Sequence, residues 1–279
     1  MRARLLTAAI GIPVFLGAAV AGGVWWLLLV SFIAVVGLAE WHGLARRALQ
    51  VSPPWDALLG GGLAVLLAAY SAVGKPGAPG LGAGAAMFGV AVYALAREAL
   101  SRRRRPAAAG GAAALGVVYV AGCLAHLLLL RGFEHPAAAA PGGVWAPDGF
   151  ALTLLAVGGT WLTDTGAFFV GRAVGGRKLM PALSPNKTVS GAVGGWVAGF
   201  VGLLAGGVFL AEIPLTKALV LAAATPVAAQ LGDLLQSALK REAGVKDSGR
   251  LLPGHGGVLD RFDSLMLAAP TVYYLSVWL

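Results

Sequence analysis

The chain has 279 residues, of which 58% are apolar and 12% charged, with a mean hydropathy of +0.80 and a formal net charge of +9. Those values lie outside the range of soluble domains and make the lipid bilayer part of the protein's solvent. The positive charge is spread over short connections instead of one folded face, which argues against a nucleic-acid binder. The single cysteine, Cys123, excludes an intrachain disulfide and a cysteine metal cluster, and reads as a small apolar filler.

A helix that crosses the hydrocarbon core needs about 17–25 predominantly apolar residues. Nine runs near that length follow one another, at about 5–22, 24–39, 57–73, 81–96, 112–130, 150–171, 191–210, 218–237 and 264–279. They predict an all-α polytopic membrane protein with about nine transmembrane helices. Arg2 and Arg4 would suit a signal peptide, but the first run is long and reads as an anchor. With nine spans, only Lys75, Arg131 and Lys217 of the 21 Lys and Arg fall on the side opposite the N-terminus. That asymmetry predicts a cytoplasmic N-terminus and an outside C-terminus. The run Arg102–Arg105 reads as a topology anchor touching anionic headgroups.

Residues 1–149 carry Gly-, Ala- and Pro-rich connections and almost no polar side chains within their spans, so they read as a scaffold of transmembrane helices. The 42 glycines fit close helix packing, with Gly191, Gly195 and Gly199 at four-residue spacing. Pro13, Pro226 and Pro270 lie inside predicted spans and should kink them.

Residues 150–279 are different, and read as the catalytic helices with their cytoplasmic loops. Asp164 lies inside the sixth run, eight residues before Arg172 and so about 12 Å below the helix end. An ionisable group at that depth points by default to a site. After it, Ser184-Pro185-Asn186-Lys187-Thr188 reads as a turn before the seventh run, offering hydroxyls, an amide, a cation and a helix N-terminus to phosphate oxygens. Asp233, Ser237 and Lys240 are spaced by four and three residues and share one helical face. Asp260 and Asp263 stand one turn apart, with Arg261 between them, at the entrance to the ninth run. Three such carboxylates, without cysteines or clustered histidines, favour Mg²⁺ over zinc. His255 lies between glycines and reads as a phosphate donor or an acid–base group.

The string from Gly232 to Asp263, with Ser237, Lys240-Arg241, Lys246-Asp247, Pro253-Gly254-His255-Gly256-Gly257 and Asp260-Arg261-Phe262-Asp263, resembles the signature of the phosphatidate cytidylyltransferases, or CDP-diacylglycerol synthases. Upstream, Asp164-Thr165-Gly166-Ala167, Gly171-Arg172 and Ser184–Thr188 are similar to a second block of that family. The resemblance covers most of residues 160–264. Two positions depart from it: many members have an acid where Gln236 stands, and an acid or amide where Ser190 stands.

The resemblance implies transfer of a cytidylyl group from CTP to phosphatidate, at a site where Mg²⁺, and a second cation in a paired site, would be held by Asp233, Asp260 and Asp263. It implies that Lys240, Arg241, Lys246 and Arg261 hold phosphates, with Ser237, Asp247, Gly256 and Gly257 in the same site. Ser184, Asn186, Lys187 and Thr188 would close over the nucleotide, with Asp164 beside them, and His255 would join the catalytic group. A homodimer in the inner membrane, with its active site facing the cytoplasm, is the expected setting. A cation-coupled transporter would also explain Asp164 and Asp233, but it calls for polar groups at mid-membrane in both halves. A CDP-alcohol phosphotransferase calls for paired aspartates at four-residue spacing within its Asp-Gly and Ala-Arg motif, whereas this chain has Asp-Arg-Phe-Asp at a spacing of three.

Overall fold

The structure, a computed structural model, describes residues 2–73, 79–101, 105–132, 148–251, 254 and 256–278. His255, Lys75 and Arg102–Arg104 lie outside the described residues. Nine helices form among the described residues: α1 (Arg2–Ala21), α2 (Gly23–Ala48), α3 (Asp56–Ala72), α4 (Pro79–Ala99), α5 (Pro106–Arg131), α6 (Asp148–Val174), α7 (Val189–Phe209), α8 (Leu215–Glu242) and α9 (Leu259–Trp278). Each of the nine apolar runs falls on one of them. Four, α2, α5, α7 and α8, are long and apolar enough to cross a membrane by length and composition. The first turn of α3 and the middle of α5, Val117–Gly122, are wound as π-helix.

The all-helical expectation missed one element. Lys178–Met180 (β1) and Ser184–Thr188 (β2) pair antiparallel, so the segment read as a turn is a strand. In a two-stranded ribbon both strands are edges, and Pro185, which has no N–H to donate, is tolerated there.

The chain forms two compact units: residues 1–132 with 239–262, and residues 133–238 with 263–279. Helices α8 and α9 therefore each contribute to both. In the first unit, Gly22 and Gly23 adopt φ of 63° and 48° to reverse the chain between α1 and α2, a conformation that glycine reaches without steric cost. Arg131 at the end of α5 donates to the Ala19 and Val20 carbonyls at 2.6 and 3.2 Å, satisfying acceptors that the last turn of α1 leaves open. Trp26 and Trp41 of α2 donate their indole N–H groups to the Leu127 and Ala112 carbonyls of α5, both at 2.9 Å. Leu38, Leu58, Leu66, Leu124 and Leu127 fill the core between them.

In the second unit, α6 and α7 meet through small residues, as the glycine spacing predicts. A Cβ on Gly195 would lie 2.6 Å from the Thr163 carbonyl, and one on Gly191 2.8 Å from that of Ala167. The opposite face of α7 exposes Val193, Val197 and Val201, the surface expected against lipid tails. Pro226 lies inside α8, and the Ala223 carbonyl in the preceding turn accepts the Trp196 indole N–H at 3.0 Å.

Candidate active site

In the second unit, the ribbon and three helices enclose a cleft of about 460 Å³. Thr188 ends β2 and caps α7, its hydroxyl accepting the Gly191 N–H at 3.0 Å. A threonine at this junction fixes where strand stops and helix starts, and so sets the two preceding residues, Asn186 and Lys187, on the cleft wall. Lys187 reaches Asp233 of α8, Nζ to Oδ2, at 2.5 Å. Ser237, one turn on, has its hydroxyl 3.4 Å from the other Asp233 oxygen.

Asp164 of α6 faces the same space, within electrostatic reach of both Asp233 and Lys187. The Ser264 hydroxyl lies 3.3 Å from each of its carboxylate oxygens. Two acids and one ammonium stand at the wall of a cleft that Arg172 and Gln230 also line, beside apolar residues such as Phe168, Leu179 and Leu234. Close helix packing helps to build it: a Cβ on Gly232, the residue before Asp233, would lie 2.5 Å from the Asp263 carbonyl, so only glycine lets these backbones approach.

A second cluster lies in the first unit, around the start of α9. Asp260 accepts from Lys240 Nζ at 2.7 Å through Oδ1, and from the Ser248 and Gly257 N–H groups, both at 2.9 Å, through Oδ2. Burial works against ionisation of this carboxyl, yet the Lys240 ammonium and the two backbone donors hold it below the usual carboxylate range. Beside it, Glu40 of α2 accepts from Ser248 Oγ at 2.7 Å, from the Val258 N–H at 2.8 Å and from the Leu259 N–H at 2.9 Å.

The structure thus brings Asp164, Asn186, Lys187, Thr188 and Asp233 together at one cleft, and Lys240, Gly256, Gly257 and Asp260 together around one loop. The Asp233 and Asp260 carboxylates each hold a lysine. Asp263 accepts the N–H of Ser264 at 2.8 Å. Ser184 opens β2, while Arg241, Lys246, Asp247 and Arg261 are exposed near the second cluster's segment. Gln236 is fully buried in α8, and Ser190 donates to the Gly175 carbonyl. Among the described residues, no three His, Cys, Asp or Glu side chains are gathered to hold a metal ion by themselves. Sequence reasoning missed Glu40 and Gln230. The signal for Glu40 was available, since an acid inside a long apolar helix is costly unless it has partners.

Apolar helices long enough to cross a bilayer by length and composition, with acids and cations at the wall of a cleft in the second unit, are the features of a membrane-embedded protein with a polar site. Residues 2–279 match the sequence model described as the cytidylyltransferase family, and the chain belongs to that family. It is similar to a phosphatidate cytidylyltransferase of Bacillus subtilis (strain 168), with 33% identity over 99% of this chain and 97% of that protein. It is also similar to proteins of the same name from Brucella suis biovar 1 (44% identity over 57% of this chain and 55% of that protein) and Staphylococcus saprophyticus (47% identity over 47% of this chain and 50% of that protein).

Proposed function

We propose that this chain is a phosphatidate cytidylyltransferase, converting CTP and phosphatidate into CDP-diacylglycerol and pyrophosphate. In this reaction a phosphatidate oxygen forms a bond to the α-phosphorus of CTP, the bond from that phosphorus to the β-phosphate oxygen breaks, and pyrophosphate leaves. A lipid phosphate is already an oxyanion at neutral pH, so the protein's task is positioning and charge stabilisation more than proton transfer. The observation that carries the reading is the cleft where Asn186, Lys187 and the Thr188 cap stand against Asp164 and Asp233, in a chain that matches the family over its full described length.

Lys187 and the start of α7 are suited to nucleotide phosphates, because an ammonium and the positive end of a helix dipole both favour anions. Lys240, Arg241, Lys246 and Arg261 supply further cations, with Ser237, Asp247, Gly256, Gly257 and His255 assigned to the same work. Asp233, Asp260 and Asp263 offer hard oxygen donors, the chemistry that suits Mg²⁺, with a second cation in the same class. When bound, the divalent ion neutralises charge on the triphosphate. We assign nine membrane spans, with the N-terminus and the site at the cytoplasmic face of the inner membrane, because cytosolic CTP and the basic loops then share a side. A homodimer is the proposed assembly.

The test is an assay of purified protein with CTP, phosphatidate and Mg²⁺. Pyrophosphate and CDP-diacylglycerol should appear in equal amounts, and neither should form when phosphatidate is left out. Formation of CMP from CDP-diacylglycerol and an alcohol, with no pyrophosphate from CTP, would overturn the reading.

A further inference from the structure

The residue that precedes helix α9 cannot cap it with its side chain. That residue is Val258, whose carbonyl accepts the Arg261 N–H at 2.9 Å but whose side chain has no oxygen to offer the other N–H groups of the first turn. Glu40, on α2 and more than two hundred residues earlier, supplies that oxygen: its two carboxylate oxygens accept from the Val258 and Leu259 N–H groups, and one also accepts the Ser248 hydroxyl. The residue is only 8% exposed, and a buried carboxylate is tolerated when such donors surround it. The positive end of the α9 dipole favours the same charge.

The surrounding glycines are fitted to this carboxylate. A Cβ on Gly249 or Gly257 would run into Glu40 oxygens, and a Cβ on Gly256 would come within 2.9 Å of Asp260 Oδ2. Ser248 ties the two acids together, donating its backbone N–H to Asp260 and its hydroxyl to Glu40. Because Glu40 fixes the backbone at 258 and 259, it also fixes the direction in which Asp260, the next residue, leaves the helix.

We infer that Glu40 is a positioning residue for the reaction: it caps α9 from another helix and so holds Asp260, Ser248 and Gly257 in the arrangement that receives Lys240. The inference rests on the functional reading above for its catalytic part, though the cap itself does not. Glu40 acts through its neighbours, so its loss should lower kcat while leaving the apparent KM for CTP nearly unchanged.

Glu40→Gln is the direct test, because an amide keeps the shape but turns an N–H donor toward the N–H groups of 258 and 259. In purified full-length protein, kcat should fall about tenfold to a hundredfold, the scale expected when a reacting arrangement is misplaced by about 1 Å. The CTP KM should stay within about twofold. Hydrogen–deuterium exchange at the amides of Ser248, Gly257, Val258 and Leu259 should speed up at least about tenfold, with α6 and α7 unchanged. Ser248→Ala removes one of the three bonds and should shift exchange in the same direction by less, which keeps the test available if the Glu40 variant does not fold.

Wild-type exchange in Glu40→Gln, or in Ser248→Ala where only that variant folds, would overturn the cap. A kcat loss that only tracks the fraction of folded protein, or a loss confined to KM, would overturn the positioning role. If wild-type protein releases no pyrophosphate from CTP and phosphatidate, the functional reading fails by itself, and accelerated exchange in the variants still identifies the cap.

Discussion

At the scale of single residues, the two clusters share one arrangement in which a carboxylate holds a lysine: Asp233 with Lys187, and Asp260 with Lys240. The Asp260–Lys240 pair is largely buried, so removing one partner strands the other in a poorly hydrated place, whereas the Asp233–Lys187 pair keeps partial access to solvent. Asp233→Asn and Asp260→Asn should each lower turnover to below about a tenth of wild type, because an amide keeps the shape but not the charge a hard cation requires. Retained activity in both, measured as pyrophosphate release, would remove them from the site. Lys187→Ala should cost kcat/KM roughly 10- to 150-fold, matching the loss of a charge-assisted contact worth about 1.5–3 kcal/mol. Because Lys187 and Asp233 touch, the double variant should lose less than the product of the single losses, and steady-state kinetics on all four proteins reads that coupling directly. A control lacking two arginines of the 102–105 run should keep wild-type kinetics, since those charges are assigned to lipid headgroups.

At the scale of elements, apolar run length located the nine helices among the described residues, and four-residue glycine spacing identified the packed face of α7. Run length and spacing are local properties, so a sequence displays them. The ribbon was not legible, because Lys178–Met180 and Ser184–Thr188 are short, polar and contain Pro185, with none of the alternation that marks a strand. The role of Gly195 can be tested against a glycine that has room. Gly195→Ala would push a methyl group onto the Thr163 carbonyl and should destabilise the protein by about 1–3 kcal/mol, the usual cost of overpacking. Gly158→Ala on α6 has nothing within 4 Å and should leave stability unchanged or slightly raised. Thermal unfolding in one detergent compares the two, and equal effects would mean that the α6–α7 contact does not depend on small residues.

At the scale of the whole molecule, the acids at 164, 233 and 260 are legible because charge in an apolar chain stands out, whereas Glu40 lies in a segment whose sequence reads as scaffold. Its partners, Ser248, Val258 and Leu259, are more than two hundred positions away, and no local pattern carries such a contact. Membrane orientation is likewise a property of the entire chain, set by the sum of loop charges against the translocation barrier. With Cys123 replaced by serine, single cysteines at exposed Leu100 and Arg250 should resist an impermeant thiol reagent in cells whose outer barrier is open, and react once the inner membrane is disrupted. A cysteine at exposed Thr216, in the first turn of α8, should react before disruption. Leu100 follows α4, while Thr216 and Arg250 stand at the two ends of α8, so the pattern checks whether α8 crosses and whether an even number of crossings separates the first site from the last: the connection after α4 and the one after α8 must share a side, and the one before α8 must not. Labelling of Thr216 and Arg250 variants from the same side would mean that α8 does not cross, and would remove the basis for placing Asp233 and Lys240 at the cytoplasmic end of a spanning helix.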